Sequence, residues 1–557
     1  MNRRLATGFA VLWVATALTH AGNISGFSWR DYWHNRMNPE TVHERGVDGL
    51  DERIRDGKLV LDIKAYLVLV LKNSTDIRLT QLDVYSAANS ITAALAPYDP
   101  QIQAGFNTTR VKQSSAAQTS GAQTLNALTQ NSTLSFTELL GNGPSVAASF
   151  NATKNSSNSA FNFFNPSLAT GLNFGLTQPL LQGRGNLQQR TALVVARTQL
   201  KIVSSQSASQ IANVMANAAS LYWEAIRARD AIRIAERSLE LAQKSYDRDR
   251  TALDLGAMSK LDILPSQAQV AQRKVDLIQA QYAYRQALDG LRRWIGADLK
   301  PNTLRIEIVL EDDPAILPSG FAPLSAEQAI AKARHDRPEL NAVNQRIAID
   351  DWNARVARNS LLPKFDLSIA AGASGLGGNL LPVLLPLGGG TTNFVAGGLG
   401  DSLSQLFSIA SPYYGFGLSL TIPVKSSAAK ASLADALVNR VRDKYSLRQI
   451  EQQIIADVLL ASSQLELAQA SVEAARLSRD LAQQNVDAEQ QKYQLGTVTA
   501  FELLTAQSQA ANAESGVVNA YVNYQKAIVS YRRAVWTILD DNGVVVDSPP
   551  TPRTRIP

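Results

Sequence analysis

The 557-residue chain contains no cysteine. Disulfides, zinc–thiolate centres, cysteine nucleophiles and lipidation of an N-terminal Cys are therefore excluded. Histidine and methionine are nearly as scarce, with four of each. His20 falls in the first residues, His34 and His43 in an unpatterned stretch, and His335 alone on a helical one. No nucleophile motif or metal-ligand spacing accompanies them, so an enzyme or a dedicated soft-metal path is not expected. Gly388-Gly389-Gly390-Thr391-Thr392 lacks the lysine and spacing of a phosphate loop and reads as a spacer. The net charge is +6, but Lys and Arg alternate with Asp and Glu instead of clustering. That pattern is a solvated helical surface, with no footprint for nucleic acid. No cofactor is implied. Beyond the N-terminus no run approaches the roughly 18 apolar residues of a membrane helix. Leu59 to Leu71 comes closest, and Asp62 and Lys64 interrupt it. If the chain crosses a membrane, it does so with strands.

What is present is sharply divided. The tracts 186–300 and 426–540 are crowded with Ala, Gln, Leu and charges, whereas 101–183 and 365–424 are rich in Gly, Ser, Thr, Asn and Phe. Between Phe365 and Val424 only Asp366 and Asp401 are charged. One all-helical part and one β-rich part follow. Residues 1–21 read as a secretory signal, with Arg3 and Arg4, an apolar run from Leu5 to Leu18, and Thr19-His20-Ala21 as cleavage site. Residues 22–58 form an extension without clear period, and 541–557 a Pro-rich, disordered tail.

The middle is read as two structural repeats, 59–300 and 324–540, joined by a linker at 301–323. Each repeat opens with a helical stretch that stops at a proline, Pro97 or Pro363. Each continues with a strand pair, 101–178 or 364–423, closed by Pro179 or Pro423. Period-two alternation marks the strands: Ile102, Ala104 and Phe106; Leu172, Phe174 and Leu176; Phe365, Leu367 and Ile369; Phe416, Leu418, Leu420 and Ile422. The stretch 107–170 exceeds any tight turn and reads as an elaborated surface loop with room for extra strand. Its Asn-x-Ser/Thr triplets at Asn107, Asn131 and Asn151 are expected by chance in such a composition. A Gly-rich loop is expected over 372–413.

Each repeat ends in a long helical hairpin, 186–296 or 426–539. The first arm of each is a rod of about 100 Å, longer than a globular domain needs. The hairpins turn at Leu255-Gly256-Ala257-Met258-Ser259 and Leu495-Gly496-Thr497-Val498-Thr499, displaced by 240 residues. At the same offset Ala228, Ala235 and Ala242 answer Ala468, Ala475 and Ala482. Val458, Leu465, Val472, Val486 and Tyr493 keep a heptad, broken at Arg479. Such a stripe demands a partner helix and imposes a left-handed supercoil. A trimeric coiled-coil stalk or adhesin is the competing reading, and the proline-bounded strands count against it.

Over residues 59–540 the chain resembles the TolC family of outer-membrane efflux ducts. The resemblance rests on Leu361-Leu362-Pro363, Gly175-Leu176-Thr177-Gln178-Pro179, Gly417-Leu418-Ser419-Leu420-Thr421-Ile422-Pro423 and the paired Leu-Gly turns. It implies a mixed α/β membrane protein: a homotrimer with a 12-stranded β-barrel, four strands per chain, continued by a 12-helix antiparallel coiled-coil tunnel in the periplasm. Residues 301–323 would lie in an equatorial belt, and Pro97, Pro179, Pro363 and Pro423 at the barrel–tunnel junction. Phe416, Leu418, Leu420 and Ile422 would face outer-membrane lipid. The duct would serve an inner-membrane transporter through a periplasmic adaptor docked at Leu255, Gly256, Ser259, Leu495, Gly496 and Thr499. Aligned on the tip glycines, Glu502 matches a family ring carboxylate, and Asp262 and Tyr493 match members of the network that shuts the tip. The second ring position is Thr505 and the network arginine is Val498, so the closing bridge to Asp262 cannot form. Thr499-x-x-Glu502 and Ser259-x-x-Asp262 are also capping patterns, which gives both carboxylates a simpler alternative.

Overall fold

The computed structural model describes residues 43–44, 46–114, 122–159, 162–256, 258–298, 301–304, 306–316, 321–381, 395–495 and 497–543. The signal at 1–21, most of the 22–58 extension, Gly388 to Thr392, Gly496 and the tail beyond 543 lie outside them. Contacts divide the chain into Met1–Asp48 and Gly49–Pro557, and the second unit carries everything below.

Two helices of 68 residues each, α3 (Leu187–Asp254) and α8 (Ser427–Gln494), are the longest elements. Neither contains a Gly or Pro, so nothing breaks the hydrogen-bond ladder over about 100 Å. Each turns back into a shorter arm, α4 (Leu264–Trp294) or α9 (Ala500–Val535). The heptad seam is real. Ile454, Val458, Ala461 and Leu465 of α8 are buried against Ile528, Tyr531 and Val535 of α9. Farther along, Val472 meets Val517, Ala520 and Tyr521.

The segment 58–95 is only partly helical. Lys58–Leu61 is a strand, β2, followed by α1 (Ile63–Asn73) and α2 (Thr75–Ala93), which divide at Ser74. β2 pairs antiparallel with β1 (Ile54–Arg55) and parallel with β7 (Glu307–Leu310), tying the N-terminal extension to the linker. Asp312 fixes this small sheet: its Oδ2 accepts from the Ile63 amide at 2.7 Å and from the Tyr222 hydroxyl at 2.6 Å. The second repeat opens with α5 (Ala326–Asp336) and α6 (Pro338–Asn359), and α6 packs on both α3 and α8.

The strands depart from expectation. A single antiparallel sheet runs β3 (Gln101–Ser114), β4 (Thr124–Leu139), β5 (Ser145–Ser157), β6 (Phe164–Pro179), β8 (Lys364–Leu380), β9 (Ser411–Thr421). Among the described residues this sheet has six strands, not the four expected, and a 12-stranded barrel from three copies does not follow. The expected loop at 107–170 holds the rest of β3, a complete β4–β5 hairpin and the start of β6. Within the expected Gly-rich loop, β8 continues to Leu380 and a short helix, α7 (Leu399–Phe407), packs on β8 and β6. Ser402 of α7 sits 2.6 Å from the Thr170 hydroxyl and donates to the Gly375 carbonyl at 3.0 Å. A side chain at Gly375 would collide with the Ser402 backbone, so glycine is what admits α7 there.

Candidate gate at the helix tips

Each hairpin tip exposes a leucine: Leu255 and Leu495 are both 79% exposed. Each follows directly on the end of its long helix, and Gly256 at φ +73° supplies the left-handed turn after α3. Leu261 and Phe501 add to this apolar crown.

The two tips are built differently. Thr499 caps α9: its hydroxyl accepts from the Glu502 amide at 3.4 Å, and its own amide donates to Glu502 Oε2 at 2.9 Å. Glu502 is therefore a capping residue. It also lies close enough to Lys492 to help raise that ammonium's pKa, chiefly set by the Glu489 carboxylate 2.7 Å away. Thr505 donates back to the Phe501 carbonyl at 2.8 Å and is engaged within its own helix. At the other tip no such box forms. The Ser259 hydroxyl accepts from the Leu261 amide at 3.1 Å, and its carbonyl from the Asp262 amide at 3.1 Å. Pro265 enters the first turn of α4, which starts at Leu264, two residues beyond Asp262. Asp262 is exposed and, among the described residues, its carboxylate has no basic partner. The structure does not bring Asp262 to Tyr493, and half-buried Val498 provides no charge for either.

Tyr493 finds a different carboxylate. Its hydroxyl donates to Asp249 Oδ1 at 3.1 Å. Asp249, only 1% exposed, also accepts from the Ser266 hydroxyl and from the Arg248 guanidinium at 3.3 Å. Arg248 in turn lies over the Tyr493 ring, 4.3 Å from its centroid. Helices α3, α4 and α8 are thereby joined through one buried carboxylate, about one and a half turns from the end of α3. Burial, then the neighbouring Asp249 charge, raises the Tyr493 pKa. No sequence motif marks Asp249 among the seven acids of α3; only the fold shows that it, like Asp230, is buried. Farther from the tip, Gln507 reaches Ser245 at 3.5 Å, and Arg273 of α4 reaches Ser508 of α9 at 2.9 Å.

At the opposite end of the hairpins the four prolines lie at one end of the strands of the large sheet. Pro97 precedes β3, Pro179 ends β6, Pro363 precedes β8 and Pro423 follows β9. Leu180 and Gln182 donate to the carbonyls of Phe365 and Pro363 at 2.8 and 3.3 Å, joining the two exits. Phe416, Leu418, Leu420 and Ile422 are all exposed, with Phe416 at 80%.

Residues 141–297 and 329–535 match the family model described as outer membrane efflux protein, well over half of the chain. The chain belongs to the outer membrane efflux protein family. Family members are transport ducts, not enzymes. The fold agrees with solved channels of low sequence identity. The CmeC outer membrane channel of Campylobacter jejuni is 14% identical at a TM-score of 0.60, covering 92% of this chain and 90% of that one. VceC of Vibrio cholerae is 14% identical at 0.59, covering 85% and 95%. The MtrE outer membrane channel of Neisseria gonorrhoeae, solved in its open state, is 18% identical at 0.56, covering 85% and 88%. Among curated relatives, protein CyaE of Bordetella pertussis is 29% identical over 178 residues, 32% of this chain and 36% of that relative's length. Among the described residues no helix is long and apolar enough to cross a membrane.

Proposed function

We propose that this chain is the subunit of a passive exit duct in the outer membrane, with its helical hairpins in the periplasm. In this reading it assembles as a homotrimer and serves a tripartite efflux pump or a type I secretion system. A periplasmic adaptor and an inner-membrane transporter open its tip and supply the energy. The observation that carries the reading is a sheet with an exposed apolar face continuing into helices that leave apolar stripes without a partner. Leu460, Leu467 and Leu481 repeat by sevens along α8 and all are exposed. On α4 Val275, Ile278 and Tyr282, spaced by three and four, line one exposed face. Stripes of this kind on a lone chain mark surfaces covered in the assembly. Four long helices per chain give twelve in a trimer, enough for a tunnel wall.

Cargo needs no chemistry here, only a path lined with polar groups and a mouth that opens on demand. The mouth is held by the Asp249–Tyr493–Ser266 cluster, since Val498 removes the family's bridge to Asp262. The exposed crown of Leu255, Leu261, Leu495 and Phe501 is the adaptor's docking surface, so docking lands within a few turns of the latch. A stalk or adhesin is disfavoured because it has no use for a sheet spliced twice into its coils. Membrane fractionation with chemical cross-linking tests the assembly: a trimer at outer-membrane density is expected, and a monomer in the soluble periplasmic fraction would overturn it.

A further inference from the structure

We propose that the β4–β5 hairpin is part of the membrane wall, so that three chains close an eighteen-stranded barrel. The closing contact is the β3 edge of one copy against the β9 edge of the next. This rests on the trimeric duct proposed above and extends it.

The hairpin keeps the alternation of its neighbours. Pairing registers carry one row across all six strands: Ile102, Phe136, Ala148, Phe174, Ala371, Tyr414. The next row on that face is Ala104, Leu134, Phe150, Leu172, Ala373, Pro412. Between them, on the opposite face, lies Gln103, Ser135, Ser149, Asn173, Gly372, Tyr413. Asn173 donates to Ser149 at 3.2 Å and to Asn151 at 3.3 Å, and it accepts from the Tyr413 hydroxyl, so polar side chains stitch β5, β6 and β9 on this face. An apolar face outward and a polar face inward is how a barrel wall divides. A hairpin folded over the outside or into a lumen would not keep that register with its neighbours.

The hairpin also matches its neighbours in length. β4 pairs with β3 along its full length from Gln101 to Ser114. The β4–β5 turn reaches the same end as the prolines: Leu140 donates to the Pro144 carbonyl at 2.9 Å, and its own carbonyl accepts from Asn186, next to α3, at 2.7 Å. The hairpin therefore spans the sheet from end to end. The family match begins at residue 141, leaving β3 and β4 outside it, whereas the second repeat has the plain two-strand arrangement.

Six strands also leave two edges that can close on each other. β3 is exposed along all 14 residues and β9 along nearly all of its 11. Long edges of this kind are not tolerated in lipid and must be paired. With six strands the two edges run in opposite directions, so a rotated copy continues the antiparallel ladder. Size agrees as well. Twelve helices about 10 Å apart make a ring of about 19 Å radius. Eighteen strands at about 4.8 Å spacing and 40° tilt give about 18 Å, whereas twelve give about 12 Å.

The cysteine-free chain makes the test clean. Single cysteines at Ser135 and Ser149, at Leu134 and Phe150, and at Phe416 as reference are introduced into the full-length protein in liposomes and treated with a membrane-impermeant maleimide. Ser135→Cys and Ser149→Cys are expected to react at least about tenfold faster than Leu134→Cys, Phe150→Cys and Phe416→Cys, as lumen and lipid faces differ in access to water. Equal, fast reaction at all four hairpin sites with Phe416→Cys still protected would overturn the proposal and leave the duct intact. Fast reaction at Phe416→Cys as well would remove the membrane wall altogether, and with it the function proposed above. Electron cryomicroscopy of the trimer gives an independent count: eighteen strands are expected, and twelve would refute the proposal.

Discussion

Asp249 is the residue whose position most changes the view of the tip. A carboxylate buried to this degree is tolerated only when hydrogen bonds and a cation satisfy it, and here Ser266, Tyr493 and Arg248 do so. Tyr493→Phe removes one of those bonds, worth about 1 kcal/mol, and should raise the open fraction about fivefold in single-channel records. The same latch predicts a pH response. Tyr493 has its pKa raised by burial and by Asp249, so the closed state holds the phenolic proton more tightly than an opened one. The latch's contribution is complete below the ordinary tyrosine range and is lost as pH climbs above about 10. Alkaline opening is expected in the wild type, and Tyr493→Phe should abolish the step. At the α8–α9 tip, Thr499→Ala should cost about 1 kcal/mol of local helix stability. Glu502→Gln keeps the capping geometry while removing the charge. Unchanged thermal stability with reduced cation selectivity would place Glu502 at the mouth; unchanged selectivity would leave it a cap alone.

At the scale of elements, the helices were legible because their pattern is dense and nothing interrupts it. Val458, Leu465, Val472 and Val486 all prove buried, as the heptad requires. Leu465→Ala should destabilise the hairpin by about 2–5 kcal/mol, read as a lowered Tm of the purified protein. Strands were legible only where the apolar face is bulky, as at Phe416, Leu418 and Leu420. β4 and β5 were not. On β4's apolar face Leu128, Leu134 and Phe136 are separated by Gln130 and Ser132, and on β5 Lys154 ends the run after Phe150 and Ala152. A strand whose one face borders water and whose other tolerates small residues carries a weak signal in any single segment. The pairing partner, and not the segment, reveals it. The latch carries little sequence signal for a related reason: alignment on the tip glycine selects Asp262, whereas burial selects Asp249, which lies before the tip turn near the end of α3. β2 does not stand out from the helical stretch because Leu59 to Leu61 is an apolar run too short to show its period.

At the scale of the molecule, the exposed helical stripes need neighbours. Leu467 is 68% exposed on the isolated chain and stands in register with Leu460 and Leu481. Leu460→Asp combined with Leu467→Asp should dissociate the assembly while leaving the helix content of each chain intact, measured by light scattering and circular dichroism. A stalk would respond in the same way, so assembly alone does not establish a duct. Conduction does. Purified wild-type protein added to a planar lipid bilayer should insert and give discrete, long-lived conductance steps, rare at neutral pH and frequent in the Tyr493→Phe variant. A folded trimer that produces no steps in either form would contradict the claim that this chain builds an outer-membrane exit channel.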